Sequence, residues 1–123
     1  MDNLLRVLIA LPAILFSIIG LRFMFDPAGA ADFLGMALSE GRRLSSQIGD
    51  GGGLFLGMGL MMPFGLIKSN STWLKAPALV LIIVAVYRVL AWQIHGAALT
   101  VDNIAIELIV AALLFAGASR FAK

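Results

Sequence analysis

Apolar residues fall in four long runs that are separated by short polar segments. The runs extend from about Leu4 to Phe25, from the glycine run 51–53 to Ile67, from Ala76 to about Ile94, and from Ile104 to about Ser119. Each run approaches the roughly 20 residues that a helix needs to cross the hydrocarbon core of a bilayer. The pattern predicts an all-α membrane protein, a four-transmembrane-helix bundle in which residues 1–123 form a single domain.

The segment after the first run combines apolar and polar residues over a short length. Asp26 is a typical N-cap and Pro27 is a favoured first helical residue, so we expect a new helix to begin there. From Pro27 to about Ser39 the chain is too short and too polar to cross a membrane. We predict a short amphipathic interfacial helix between spans one and two.

The composition agrees with lipid as the solvent of this chain. Hydrophobic residues make up 61% of the 123 residues, and the mean hydropathy is +1.01. The sequence has no cysteine, which excludes disulfides, iron–sulfur clusters and cysteine nucleophiles. Its Lys and Arg residues are scattered and do not form the basic face typical of nucleic-acid binding. No catalytic or metal-binding motif is recognisable, and we predict no catalytic residue, metal, cofactor or nucleic-acid partner.

Charge is distributed unequally between the two sides of the predicted bundle. The side that holds both termini and the second loop has one acidic residue, Asp2, and five basic residues: Arg6, Lys68, Lys75, Arg120 and Lys123. Basic residues near helix ends favour the cytoplasmic side, so we expect both termini in the cytoplasm. The first run is long for the apolar core of a secretory signal, and we expect it to be retained as a span.

Arg88 and Glu107 are charged residues inside the third and fourth spans. Such residues usually face other helices and pair, and these two lie at similar depths on helices joined by a short loop. We predict an ion pair, with a ligand or proton site and simple snorkelling as alternatives. With other polar residues they form a predicted cluster near the outer face: Arg22, Asp26, Asp50, Arg88, His95, Asp102 and Glu107. His95 is the only histidine, and we interpret it as a loop-end residue rather than a haem or metal ligand.

Glycines are concentrated at the start of the second span. Asp50 precedes three of them and is predicted to cap that helix. Gly49, Gly53 and Gly57 give two overlapping GxxxG spacings, which permit close approach of another helix. We predict an internal seam at Gly53 and a contact with a partner or lipid at Gly59, on another face of the helix.

The chain resembles a family of small, uncharacterised bacterial four-span membrane proteins, a domain of unknown function that is distantly similar to DoxX-like proteins. The resemblance rests on the following residues: Phe25, Asp26, Pro27, Gly35, Gly52, Gly53, Leu54, Gly57, Gly59, Arg88, Gly96 and Glu107. Related sequences have a basic residue shortly before the glycine pair, where this chain has Ile48, Gly49 and Asp50. The resemblance implies a four-span fold in a bacterial inner membrane and almost nothing about activity.

Two classes of function fit these features. The first is a non-enzymatic accessory or scaffold protein that packs against membrane lipid, a larger integral membrane complex or other copies of itself. The second is a binding or redox-linked protein for a lipophilic small molecule, such as a quinone or a sterol-like lipid, held beside Arg88 and Glu107. A small transporter is less favoured, because four spans without internal repeats offer little for alternating access unless the chain dimerises.

Overall fold

The computed structural model describes residues 2–68 and 70–121, and these ranges contain helices and no strand. The helices are α1 (Asp2–Phe25), α2 (Pro27–Phe33), α3 (Gly41–Ser46), a π-helical segment (Gln47–Gly52), α4 (Gly53–Lys68), α5 (Ser71–His95) and α6 (Val101–Phe121). Residue Lys123, which belongs to the predicted basic side, lies outside the described ranges.

Four helical stretches are long and apolar enough to cross a membrane. They comprise α1 with 24 residues, the continuous stretch Gly41–Lys68 with 28, α5 with 25, and Val101–Arg120 with 20. At about 1.5 Å per residue even the shortest reaches about 30 Å, the thickness of the hydrocarbon core. The predicted fold class, an all-α protein with four spans, is confirmed. We refer to Gly41–Lys68 as the second span.

The chain forms two compact units. The first consists of the described parts of Met1–Ile9 and Met61–Lys123, and the second is Ala10–Leu60. In the first unit α5 packs along α6. Small and large apolar residues alternate on the buried face of each helix, at helical spacing: Leu74, Ala78, Leu81 and Ala85 on α5, and Val110, Ala111, Leu114 and Ala118 on α6. Alanines on both helices let their backbones approach closely.

The second unit has its own apolar core. Ile19 and Phe23 of α1 pack with Ala30 of α2, and the partly buried Leu34 and Phe55 complete the cluster. Phe16 and Phe55 meet edge to face, with ring centroids 5.3 Å apart. This core fixes α2 against α1.

The short helix between spans one and two begins as predicted but ends earlier. Asp26 is its N-cap, and Pro27 is its first residue. It ends at Phe33 rather than near Ser39, because Gly35 adopts a positive φ of 76° and reverses the chain. The N–H groups of Gly35 and Met36 donate to the carbonyls of Asp32 (2.9 Å) and Ala31 (2.8 Å), the two bonds of a Schellman motif.

Two spans begin five or more residues earlier than hydropathy predicts. The second span is helical from Gly41, ten residues before Gly51, and the third from Ser71, five residues before Ala76. Asn70 caps the third, because its side-chain oxygen accepts a hydrogen bond from the Thr72 N–H (3.0 Å). Hydropathy marks where a helix becomes apolar, whereas caps mark where it begins.

Candidate functional site

Arg88 and Glu107 form a direct ion pair between α5 and α6, which confirms the prediction. The Nε of Arg88 donates to both carboxylate oxygens, at 2.9 Å to Oε1 and 3.1 Å to Oε2. The Glu107 side chain is only 12% exposed, and that of Arg88 is 37% exposed. The carboxylate is therefore shielded by the two helices, while much of the guanidinium remains accessible.

The pair leaves part of Arg88 available. Only Nε binds Glu107, and the two terminal nitrogens Nη1 and Nη2 make no hydrogen bond with any residue that the structure describes. Those nitrogens carry four of the five N–H donors of a guanidinium. Arg88 can thus hold Glu107 in place and still donate to an acceptor beside the helices.

His95 and Asp102 do not join this pair. His95 is exposed at the last residue of α5, where Gly96 ends the helix with a left-handed φ of 69°. Asp102 is exposed in the first turn of α6. Neither side chain forms a hydrogen bond or ion pair within the described ranges. Those ranges also contain no group of three His, Asp or Glu side chains close enough to hold a metal ion.

A second ion pair lies in the other unit, at the junction of α1 and α2. Arg22 Nη2 is 3.3 Å from Asp26 Oδ2, and Asp26 Oδ1 accepts a hydrogen bond from the Gly29 N–H at 3.2 Å. A Cβ on Gly29 would lie 2.5 Å from Arg22 Nη2. Gly29 therefore leaves room for the guanidinium. The sequence pattern does not identify Gly29 as part of this site. The one feature that could have indicated it is a glycine at the third position of a helix capped by Asp26.

Asp50 does not cap the second span, so that prediction is wrong. It lies inside the π-helical segment, nine residues after the first residue of α3, and its exposed side chain has no hydrogen-bond partner among the described residues. The polar residues that precede it continue the helix instead of forming a loop. Of the seven residues in the predicted polar cluster, four form two ion pairs: Arg22 with Asp26, and Arg88 with Glu107.

The internal glycine seam lies on a different face from the one predicted. In the second unit, a Cβ on Gly20 would be 2.5 Å from the Leu56 backbone nitrogen, and one on Gly52 would be 2.9 Å from Phe23 Cβ. A Cβ on Gly59 would be 2.7 Å from the Ser17 backbone nitrogen. Gly20, Gly52 and Gly59 therefore allow α1 and the second span to meet backbone to backbone. The predicted partner contact at Gly59 is wrong, because Gly59 is buried in this seam.

Three other glycines of the second span face outward. A Cβ on Gly49, Gly53 or Gly57 would meet no described atom within 4 Å. The predicted internal seam at Gly53 is therefore wrong as well. GxxxG spacing shows that these three residues share one face of a helix, but it does not show which face packs against another helix. We call Gly49, Gly53 and Gly57 the glycine face.

The first unit also joins residues from the two ends of the chain. Arg120 Nε donates to Asp2 Oδ1, and Arg6 Nη1 donates to the Leu66 carbonyl at 3.4 Å. A largely apolar cavity of about 430 Å³ is lined by Leu4, Leu5, Leu8, Ala116, Ser119 and Arg120. Asp2 and Arg120 are 118 residues apart in sequence, so the sequence pattern does not predict their contact.

No protein-family model matches the chain, and no curated protein or solved structure is significantly similar to it.

Proposed function

We propose that this chain is a small multi-pass accessory protein of the bacterial inner membrane that packs its glycine face against a helix of a larger membrane complex or against lipid. The observation that carries the proposal is the contrast between the glycines at the contact of α1 with the second span and those on the glycine face. Gly20, Gly52 and Gly59 face backbone or side-chain atoms of their own unit, whereas no described atom covers Gly49, Gly53 and Gly57.

Glycine inside a helix is unfavourable by about 1 kcal/mol relative to alanine, so a glycine face needs a compensating contact. Between membrane helices that contact is usually another backbone, since small residues let two helices approach closely. Exposed Leu54 and Leu60 flank Gly53 and Gly57 and give the face apolar walls. A transmembrane helix fits a shallow apolar surface of this kind.

The test is association in native membranes. Gly53→Leu and Gly57→Leu add bulk to the glycine face without an internal clash, and we expect each to abolish co-purification of a stoichiometric membrane partner under gentle solubilisation. Ala112→Leu is the matched control, because it adds the same bulk at an exposed position of α6. Unchanged co-purification in both glycine variants would contradict the proposal, provided that the variants retain wild-type thermal stability.

A second function is favoured by the free nitrogens of Arg88. A lipophile with a carbonyl acceptor, such as a quinone, could accept from Nη1 or Nη2 while its apolar body lies among the exposed apolar residues of α5. A sterol-like lipid could present a hydroxyl oxygen in the same way. Mass spectrometry of lipophiles extracted from purified protein tests this. We expect such a molecule in the wild type and its loss in Arg88→Met combined with Glu107→Leu, with the glycine-face variants unaffected.

A further inference from the structure

The segment after α2 and the first residues of the second span form a concave surface that neither proposal uses. It encloses about 530 Å³ and is lined by Ala37, Leu38, Ser39, Glu40, Arg42 and Arg43. We call these six residues the arginine surface. All of them belong to the second unit, so its form is set within that unit.

Gln47 holds this segment in shape. Its side-chain oxygen accepts a hydrogen bond from the Ser39 N–H at 2.8 Å, and its side-chain nitrogen donates to the Ala37 carbonyl at 2.9 Å. One amide thus satisfies a donor and an acceptor of an otherwise irregular stretch of backbone. Because Gln47 follows Arg43 by one helical turn, the clamp fixes the loop relative to the arginines.

The charges on this surface are unpaired. Arg42 and Arg43 are exposed, and neither forms an ion pair or hydrogen bond with a residue that the structure describes. Glu40 is the only carboxylate among the lining residues, and it too has no ion-pair partner in the described ranges. Two guanidinium groups against one carboxylate leave a net positive charge.

The length of α1 is consistent with a position of this surface near the lipid headgroups. The 24 residues of α1 extend about 36 Å, which is enough to bring the chain through the hydrocarbon core and to the bilayer surface at Phe25. Exposed Phe33, Met36 and Leu38 stand near the arginines in sequence. Apolar side chains beside unpaired cations are the combination with which interfacial segments bind lipid.

We propose that the arginine surface binds the phosphate of an anionic glycerophospholipid. Guanidinium groups match phosphate geometry with paired N–H donors, and two adjacent arginines can share one phosphate. The neighbouring apolar side chains favour a lipid over a soluble anion, because they would contact the glycerol and upper acyl region. The net positive charge favours an anionic headgroup over a zwitterionic one.

Native mass spectrometry of the purified full chain can test this with phosphatidylglycerol and phosphatidylcholine of matched acyl chains. We expect the wild type to retain phosphatidylglycerol preferentially, and Arg42→Gln combined with Arg43→Gln to weaken that retention about 30-fold, near what two interfacial cations contribute. Lys68→Gln combined with Lys75→Gln is the control, since it removes the same charge from the facing ends of α4 and α5. Gln47→Ala keeps both arginines but releases the clamp, and we expect it to weaken the preference as well.

Three outcomes would overturn the proposal. They are equal retention of the two lipids by the wild type, unchanged retention in the double arginine variant, and displacement of the lipid by millimolar inorganic phosphate, which would identify a soluble-anion site. If the double arginine variant does not fold, Gln47→Ala decides the matter alone. Association with a protein partner depends on the glycine face and is expected to survive in the arginine variants, so the two proposals can fail separately.

Discussion

Gly59 of the second span and Ser17 of α1 lie so close that a Cβ on Gly59 would come within 2.7 Å of the Ser17 backbone nitrogen. The same Cβ would be 2.9 Å from the Ala13 carbonyl oxygen. Backbone atoms cannot move aside as the end of a flexible side chain can. This contact therefore makes glycine necessary at position 59, whereas Gly53, six residues earlier in the same helix, has open space around it.

We expect Gly59→Leu to destabilise the protein by about 3 kcal/mol, because overpacking typically costs 1 to 3 kcal/mol and the atoms met here are backbone. Gly53→Leu is the matched control and should unfold within a few degrees of the wild type. Thermal unfolding in detergent measures both. If the two variants lose stability equally, the seam does not lie on the face of Gly59.

Removing one member of the Arg88 and Glu107 pair should cost more than removing both. Glu107→Gln leaves the guanidinium without its counter-charge, which for buried pairs costs about 3 to 5 kcal/mol. Since Arg88 is 37% exposed, solvent screening reduces the expected loss to about 1 to 2 kcal/mol. Arg88→Met combined with Glu107→Leu leaves no unpaired charge and should be milder. Thermal unfolding in detergent measures both variants. If the double variant is less stable than Glu107→Gln, the pair does not have a mainly structural role.

The left-handed turn at Gly35 should tolerate no side chain without strain. Its φ of 76° costs an L-residue about 1 to 2 kcal/mol, and Gly35→Ala should lower stability by roughly that amount. Gly49→Ala is the control, because a Cβ there meets no described atom and its φ is not positive. Equal unfolding temperatures for the two variants would show that the Schellman motif after α2 contributes little.

Hydropathy and capping chemistry predict much of this fold. The four spans follow from the apolar runs, and the start of α2 follows from Asp26 and Pro27. The Arg88 and Glu107 pair could be predicted too, because a short loop places two intramembrane charges at similar depth. These features depend on local sequence or on a constraint that the bilayer imposes on every chain.

The glycine assignments could not be predicted in the same way. GxxxG spacing shows that a helix has a smooth face, but Gly52 and Gly59 lie on one face and Gly53 and Gly57 on another. The choice between them depends on where α1 packs, which involves contacts about 40 residues apart in sequence. The clamp of Gln47 on Ala37 and Ser39 is unpredictable for a related reason, since it requires the loop geometry that follows Gly35.

Orientation in the membrane can be tested with single cysteines, because the chain has none of its own. Within the first unit, the Asp2 contact with Arg120 and the Arg6 contact with Leu66 bring the start of α1, the end of α4 and the end of α6 together. Lys68 is the last residue of α4 and Lys75 lies near the start of α5, and basic residues near helix ends favour the cytoplasm.

We therefore expect Thr72→Cys to be protected from an impermeant thiol reagent on intact cells and to react after permeabilisation. Ser45→Cys, at an exposed position before the apolar part of the second span, should react without permeabilisation. As the control for accessibility, both variants should react after permeabilisation. External labelling of Thr72→Cys together with protection of Ser45→Cys would show the opposite topology. The arginine surface would then face the cytoplasmic leaflet, and its proposed lipid ligand would have to come from that leaflet.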